Sequence, residues 1–232
     1  MNPISNIAWK FSANARKKRA ELFRSFFEIG STTKILDLGS ENGSNIFNVL
    51  AGTDVKPENV YIADIDQTAI DHGNRSYGFN PVLVSEGQPL EFEDGYFDIV
   101  YCSSVIEHAT VPKSDVWKIR SQKEFEEKSW KTQKEFASEI RRLGKQYFVQ
   151  TPSRSFPIES HTWLPLLGYV PRKVFLPILS VTNRFWVKAA EPDFNLLDMK
   201  RMGELFPAAN IIPEIKWKLI KSIMAVQALP MT

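Results

Sequence analysis

The stretch Ile35 to Gly43, reading ILDLGSENG, constrains the fold of this chain more than any other segment. Its apolar start runs into a glycine turn and then into a helical pattern, which predicts a strand, a tight turn and a helix in direct succession. Such a unit buries its strand only when parallel strands flank it and helices cover both faces of the sheet. Asp64 follows Gly43 at roughly the twenty-residue spacing at which an acid meets a ribose in open α/β sheets. Together the turn and the acid predict a ligand with an adenosyl group.

Short apolar runs separated by polar helical stretches extend the pattern along the chain. They predict parallel strands near Lys34 to Leu38, Asn59 to Ala63, Pro81 to Val84, Phe97 to Cys102 and Gln146 to Gln150. Helices are expected to begin near Gly43 and near Asp66, the latter an amino-terminal cap, and a long helix to cover Lys123 to Leu143 with Gly144 as its stop. Asn210 to Ile215 and Lys218 to Gln227 read as an antiparallel hairpin, with Pro213 pushing the first strand to a sheet edge. The expected fold class is α/β, a Rossmann-like sheet of seven mostly parallel strands with helices on both faces and a C-terminal antiparallel hairpin.

The 232 residues suit one domain, and a net charge of +2 gives no general drive toward polyanions, so nucleic acid is not an expected partner. A local basic cluster runs from Lys10 to Arg24 and carries Leu22, Phe23, Phe26 and Phe27 at partly helical spacing. It reads as an amphipathic helix packed on the domain, with contact to an anionic membrane surface or a phosphorylated substrate as the alternative. Cys102 is the single cysteine, which excludes a disulfide framework. The amino terminus shows no secretory pattern, and prolines and charges interrupt the apolar Trp163 to Val187 region short of a membrane span. A cytoplasmic location, with the membrane surface open, is the expectation. The subdivisions are 1–30, a basic helical extension; 31–151, a cofactor-binding core; 152–197, a substrate-side cap; and 198–232, a C-terminal helix and hairpin.

A nicotinamide-binding G-x-G-x-x-G would require glycines at Glu41 and Ser44, and both are missing. The order of ILDLGSENG, YIADID, VSEGQPLEFEDGYFDIV and FDIVYCSSVIEHA instead resembles the class I S-adenosylmethionine-dependent methyltransferases, over about Ile35 to Thr151. The resemblance implies S-adenosylmethionine as cofactor, with Asp37 near its methionine moiety, Gly39, Ser40, Glu41 and Gly43 forming the turn, Asp64 and Ile65 at the ribose, and Glu86 and Gly87 near the adenine. Glu41 stands where the family usually has a middle glycine. Ser103 and Ser104 would line the floor where cofactor and substrate meet, and His108 would sit below the pocket, hydrogen-bonded or against substrate.

In two branches of that superfamily an E-x-x-E-H version of the turn binds a divalent metal. Here Ser104 replaces the first glutamate, Glu107 and His108 alone are too few ligands, and no metal is expected unless a distal His161 or Glu159 completes the set.

The segment after the fifth strand, VQTPSRSFPIESHTWLPLLGYVP, resembles bacterial methyltransferases of the T-P-x-R-x-F-P-I-E-x-H type. His161 has a suitable pKa for taking a hydroxyl proton, Glu159 is placed to orient it, Arg154 to hold an anionic group, and Trp163 to offer stacking surface. The residues from Thr110 to about Gln122 read as an irregular excursion, either a lid or a solvated loop. The expected activity is O-methylation of a small-molecule, glycan or lipid-linked acceptor. N-methylation and a noncatalytic scaffold at a membrane surface are the alternatives, and the oligomeric state is left open.

Overall fold

The computed structural model describes residues 16–85, 87–186 and 188–229. Seven strands form one sheet: β1 (Ile35–Leu38), β2 (Val60–Asp64), β3 (Asn80–Leu83), β4 (Phe97–Ser103), β5 (Gly144–Pro152), β6 (Asn210–Lys216) and β7 (Leu219–Gln227), in the order β3-β2-β1-β4-β5-β7-β6. β1 pairs in parallel with β2 and β4, and β2 with β3, while β6 and β7 are antiparallel. Every residue of β1 is buried, as a strand covered on both faces requires, whereas β3 alternates and carries Pro81 at the free edge. Strand order reverses between β1 and β4, the place where open α/β sheets bind ligands beyond the carboxyl ends of their strands.

The chain divides into two compact units. The first comprises residues 1–102, 142–148 and 227–232. Its helices are α1 (residues 16–26), α2 (Ser44–Val49) and α3 (Gln67–Tyr77). α1 is the amphipathic helix the sequence predicts. Phe23 is fully buried, edge-on to Tyr101 and Phe148 at 5.3 and 5.6 Å, and Lys17 and Lys18 point outward. Lys10 and its neighbours lie outside the described residues. Asp66 caps α3 as expected, accepting from the backbone N–H groups of Thr68 and Ala69.

Gly144 acts differently from the expectation. It opens β5 without a left-handed φ, and a Cβ there would lie 2.7 Å from both Val100 Cγ2 and the Gln146 carbonyl oxygen. Close approach of the strand, not a helix stop, demands glycine at that position.

The second unit comprises residues 103–141 and 149–226. It holds most of α4 (Gln122–Leu143), together with α5 (Arg172–Thr182), α6 (Met199–Leu205) and the β6–β7 hairpin. The hairpin turns through Trp217 and Lys218, both at positive φ (50° and 63°), the backbone a two-residue primed turn needs even without glycine. The excursion after residue 110 is irregular and exposes most of its polar residues, but its apolar side chains are anchored. Val111, Val116 and Ile119 form a small core with Phe125 of α4. The buried Arg172 donates from Nε to the Ile119 carbonyl at 2.7 Å and from Nη2 to the Val116 carbonyl, with its guanidinium 3.5 Å from the centre of the Phe125 ring. Burial holds the Arg172 pKa down, to about 10, against the pull of Asp193.

Among the described residues no helix is long and apolar enough to cross a membrane.

Candidate active site

In the first unit the glycine turn is held by β2. The N–H groups of Gly39 and Ser40 both donate to the Ala63 carbonyl, at 2.8 and 3.2 Å. Gly39 has φ 80° and Glu41 φ 50°, so Glu41 takes the left-handed backbone usually given to glycine, at a cost of about 1 kcal/mol. Part of that cost is offset by its own N–H, which donates to Asp64 Oδ2 at 2.8 Å. Asp64 Oδ1 accepts from the Asp66 N–H at 3.1 Å. Both carboxylate oxygens are thereby oriented at the end of β2, each with lone-pair capacity remaining.

Gly43 has a reason the sequence did not reveal. A Cβ there would meet Phe79 Cδ2 at 3.1 Å and Ile62 Cγ2 at 3.2 Å, so this glycine packs the turn onto its own core. Gly73, in the middle of α3, is a companion that sequence reasoning missed. Its Cβ would stand 2.5 Å from Ile62 Cδ1 and 2.6 Å from the Asn42 carbonyl oxygen, so only glycine lets α3 reach the turn.

Asp37, at the third position of β1, is 2 % exposed, and its Oδ2 has no hydrogen-bond partner; Ser40 Oγ is a second buried oxygen without one. Burial, with the Asp64 charge adding to it, raises the Asp37 pKa well above the ordinary carboxylate value. Unpaired buried groups of this kind cost about 1–3 kcal/mol each. Because an acid with a raised folded-state pKa loses stability as pH rises from its unfolded value through its folded one, Asp37→Asn is expected to stabilise the cofactor-free protein. The gain should be about 1–2 kcal/mol at pH 8 and should shrink toward pH 5. Urea unfolding at the two pH values checks it, and equal stability of the two proteins at pH 8 would contradict it.

In the second unit the turn after β4 carries another group of side chains. Gln150 Oε1 accepts from Ser103 Oγ at 2.8 Å and from Ser104 Oγ at 3.3 Å, and Ser104 lies at φ 61°. Glu107 is fully buried: its Oε2 accepts from the Thr151 hydroxyl at 2.9 Å, and its Oε1 has no hydrogen-bond partner. His161 Nε2, also buried and without such a partner, lies 3.7 Å from Glu107 Oε1. The His161 ring stacks on Phe194 at 4.6 Å and meets His108 edge-on at the same distance. His108 Nδ1 lies 3.0 Å from Asp193 Oδ1.

A reciprocal amide pair, Gln133 with Asn195, braces this turn. Gln133 donates to the Ile106 and Asn195 carbonyls at 3.1 and 2.8 Å, and Asn195 Nδ2 returns a bond to Gln133 Oε1 at 3.0 Å. Burial raises the Glu107 pKa against the opposing His108 charge. Burial works to lower His108, but the hydrogen bond to Asp193 and the charge of Glu107 raise it on balance. Burial, then the His108 and Lys188 charges, holds His161 well below its usual value, so its ring is neutral near pH 7.

Residues 36–120 match the family model of a methyltransferase domain. That stretch is a methyltransferase domain of a family whose cofactor is S-adenosylmethionine. Among solved structures it resembles magnesium protoporphyrin IX methyltransferase of Synechocystis PCC 6803, with TM-score 0.53 and 12% identity over 98% of this chain and 88% of that one. It also resembles the CurJ carbon methyltransferase, with TM-score 0.52 and 12% identity over 92% of this chain and 54% of the other. A third is phosphoethanolamine N-methyltransferase 2 of Haemonchus contortus, with TM-score 0.51 and 12% identity over 85% and 38%. At that identity the likeness establishes the fold alone. No curated protein sequence matches the chain.

The methyltransferase turn fits its cofactor on physical grounds. The buried, unpaired Asp37 and Ser40 oxygens call for a polar ligand, and a cation beside Asp37 would offset its burial. The oriented Asp64 carboxylate suits a diol. Ile65 is 47% exposed next to it, available to cover a ligand. Gly87 is exposed at φ 73° with open space where a Cβ would be, and Glu86 lies outside the described residues.

The second unit alters the expected role of Glu159 and gives Arg154 and Trp163 neighbours of their own. Glu159 does not orient the His161 ring: its Oε1 accepts from the His161 backbone N–H, and its Oε2 from the Thr162 N–H and hydroxyl, each at 2.7 Å. The buried acid closes the loop on itself, while the ring turns to Glu107. Arg154 is paired with Glu126 at 3.1 Å, though 41% of its side chain is exposed. Trp163 adopts φ 61° beneath Lys188, whose Nζ is 5.1 Å from the ring centre and donates to the Ser160 carbonyl at 2.6 Å. Asp193, Phe194, Thr151 and Gln133 went unrecognised in the sequence, since no local pattern sets them apart from loop or helix residues.

Proposed function

We propose that this methyltransferase methylates an oxygen, on a small-molecule, glycan or lipid-linked acceptor. One observation carries the reading: the buried pair of Glu107 Oε1 and His161 Nε2, unpaired and 3.7 Å apart. A hydroxyl must lose a proton to become a good nucleophile, whereas an amine arrives with a free lone pair, so a proton-handling pair suits the first acceptor and is unnecessary for the second.

When bound, S-adenosylmethionine supplies a methyl group already activated on a sulfonium. Asp37 and the backbone of Gly39 to Glu41 would hold its amino-acid end, and Asp64 its ribose hydroxyls. The Glu107–His161 pair serves the acceptor's proton, Phe194 keeps the imidazole in register by stacking, and Thr151 holds the carboxylate. Arg154, partly exposed, would meet an anionic acceptor group. A lipid-linked acceptor is favoured by the outer face of α5 and its end, where Val174, Val181 and Phe185 are exposed (Phe185 at 71%) beside the exposed Lys173 and Arg184.

The test is transfer of a carbon-13 methyl group to a panel of hydroxyl and amine acceptors, free or in anionic vesicles, followed by NMR. Signals from O–CH3 are expected, and faster labelling in vesicles if the acceptor is lipid-linked. Label found only on nitrogen or carbon would overturn the reading.

A further inference from the structure

We propose that Glu107, His108 and His161 bind a divalent transition-metal ion. The sequence left this turn with two ligands, Glu107 and His108, too few for a metal, and the fold returns His161 to it from the loop after β5. One ligand atom from each of the three residues lies within 4.8 Å of the others. Among the described residues this is the cluster with the separation and chemistry of a coordination site. Two imidazoles and one carboxylate suit zinc and other borderline ions, with positions left for an oxygen ligand.

Three independent features support the assignment. Two of the prospective donor atoms, Glu107 Oε1 and His161 Nε2, are buried without a hydrogen-bond partner, an arrangement that a shared cation relieves. Their 3.7 Å separation is slightly more than the edge of about 3.0–3.4 Å spanned by two ligands at 2.0–2.1 Å from one ion, so a small rotation closes it.

The supporting shell is also present. Asp193 takes Nδ1 of His108, the carboxylate–imidazole pairing typical behind a metal-bound histidine, which directs Nε2 to the ion. Thr151 holds the second oxygen of Glu107, and Phe194 fixes the plane of His161.

The inference rests on the oxygen-acceptor reading only for the ion's role. A hydroxyl on the open position becomes more acidic, its proton leaves to water, and the oxygen can then accept the methyl group while the C–S electron pair stays on sulfur. In that state His161 and Glu107 act as ligands, and water takes the proton.

Untagged protein, stripped with chelator and dialysed, should bind Zn2+ in calorimetry at about one ion per chain. Co2+ should give visible absorption bands. Glu107→Gln, nearly isosteric, should weaken Zn2+ at least about tenfold, and so should His161→Ala; Asp193→Asn, one step removed, should weaken it about 10- to 100-fold. Zn2+ bound equally by wild type and Glu107→Gln, or not at all, overturns the proposal. S-adenosylmethionine binding measured on the same samples separates the outcomes: retained cofactor binding without Zn2+ removes the ion alone, whereas lost cofactor binding would reach the enzyme itself.

Discussion

His161→Ala is expected to lower methyl transfer by about 100-fold or more, while the affinity for S-adenosylmethionine changes by less than about threefold. The reasoning is positional. The ring is the buried base closest to the unpaired Glu107 oxygen, and the Phe194 stack leaves it one orientation. The cofactor is assigned to other residues, Asp37, Asp64 and the glycine turn, so its affinity should stand. His161→Gln, which keeps more of the packing, guards against a folding artefact. Turnover is to be measured on the best acceptor from the methylation panel. Unchanged turnover in both variants would remove His161 from the mechanism.

Asp64→Ala should weaken S-adenosylmethionine binding by about 50-fold or more. Two ribose hydroxyls donating to a carboxylate are charge-assisted bonds of about 1.5–3 kcal/mol each before losses, so a net deficit near 2–3 kcal/mol is expected. The substitution also strips the Glu41 N–H of its acceptor while Glu41 sits at positive φ, loosening the turn itself. Asp64→Asn, which keeps an acceptor oxygen, should fall between wild type and alanine. Asp54→Ala, an exposed acid, is the control. Calorimetry giving Asp64→Ala the affinity of that control would refute the ribose assignment.

Much of this molecule is written in short-range pattern. The strands lie within a few residues of where apolar runs place them, and Asp66 caps α3 as its type and position predict. The glycine turn shows why such readings work: strand, turn and helix are specified by neighbours along the chain. Glu41 shows how they can stay right despite an irregular residue, since the backbone adopts the glycine conformation anyway.

Other features depend on residues that meet only after folding. Gly73 and Gly144 look like ordinary helix and turn glycines until the atoms a Cβ would strike are known. Glu159 beside His161 invites a catalytic dyad, yet its carboxylate is consumed by backbone N–H groups, because a buried acid at a tight turn binds the nearest donors. Arg172, in the sequence only a charge that interrupts an apolar region, is the buried pin of the 110–121 excursion.

By itself the sequence determined the α/β sheet and the glycine turn, since both follow from periodicity, glycine placement and one acid at a set distance along the chain. Only the tertiary structure decided which side chains surround Glu107. His161, His108 and Asp193 come from three separate segments of the second unit, and their meeting depends on how those segments and the Gln133–Asn195 brace pack, information carried by packing and not by spacing.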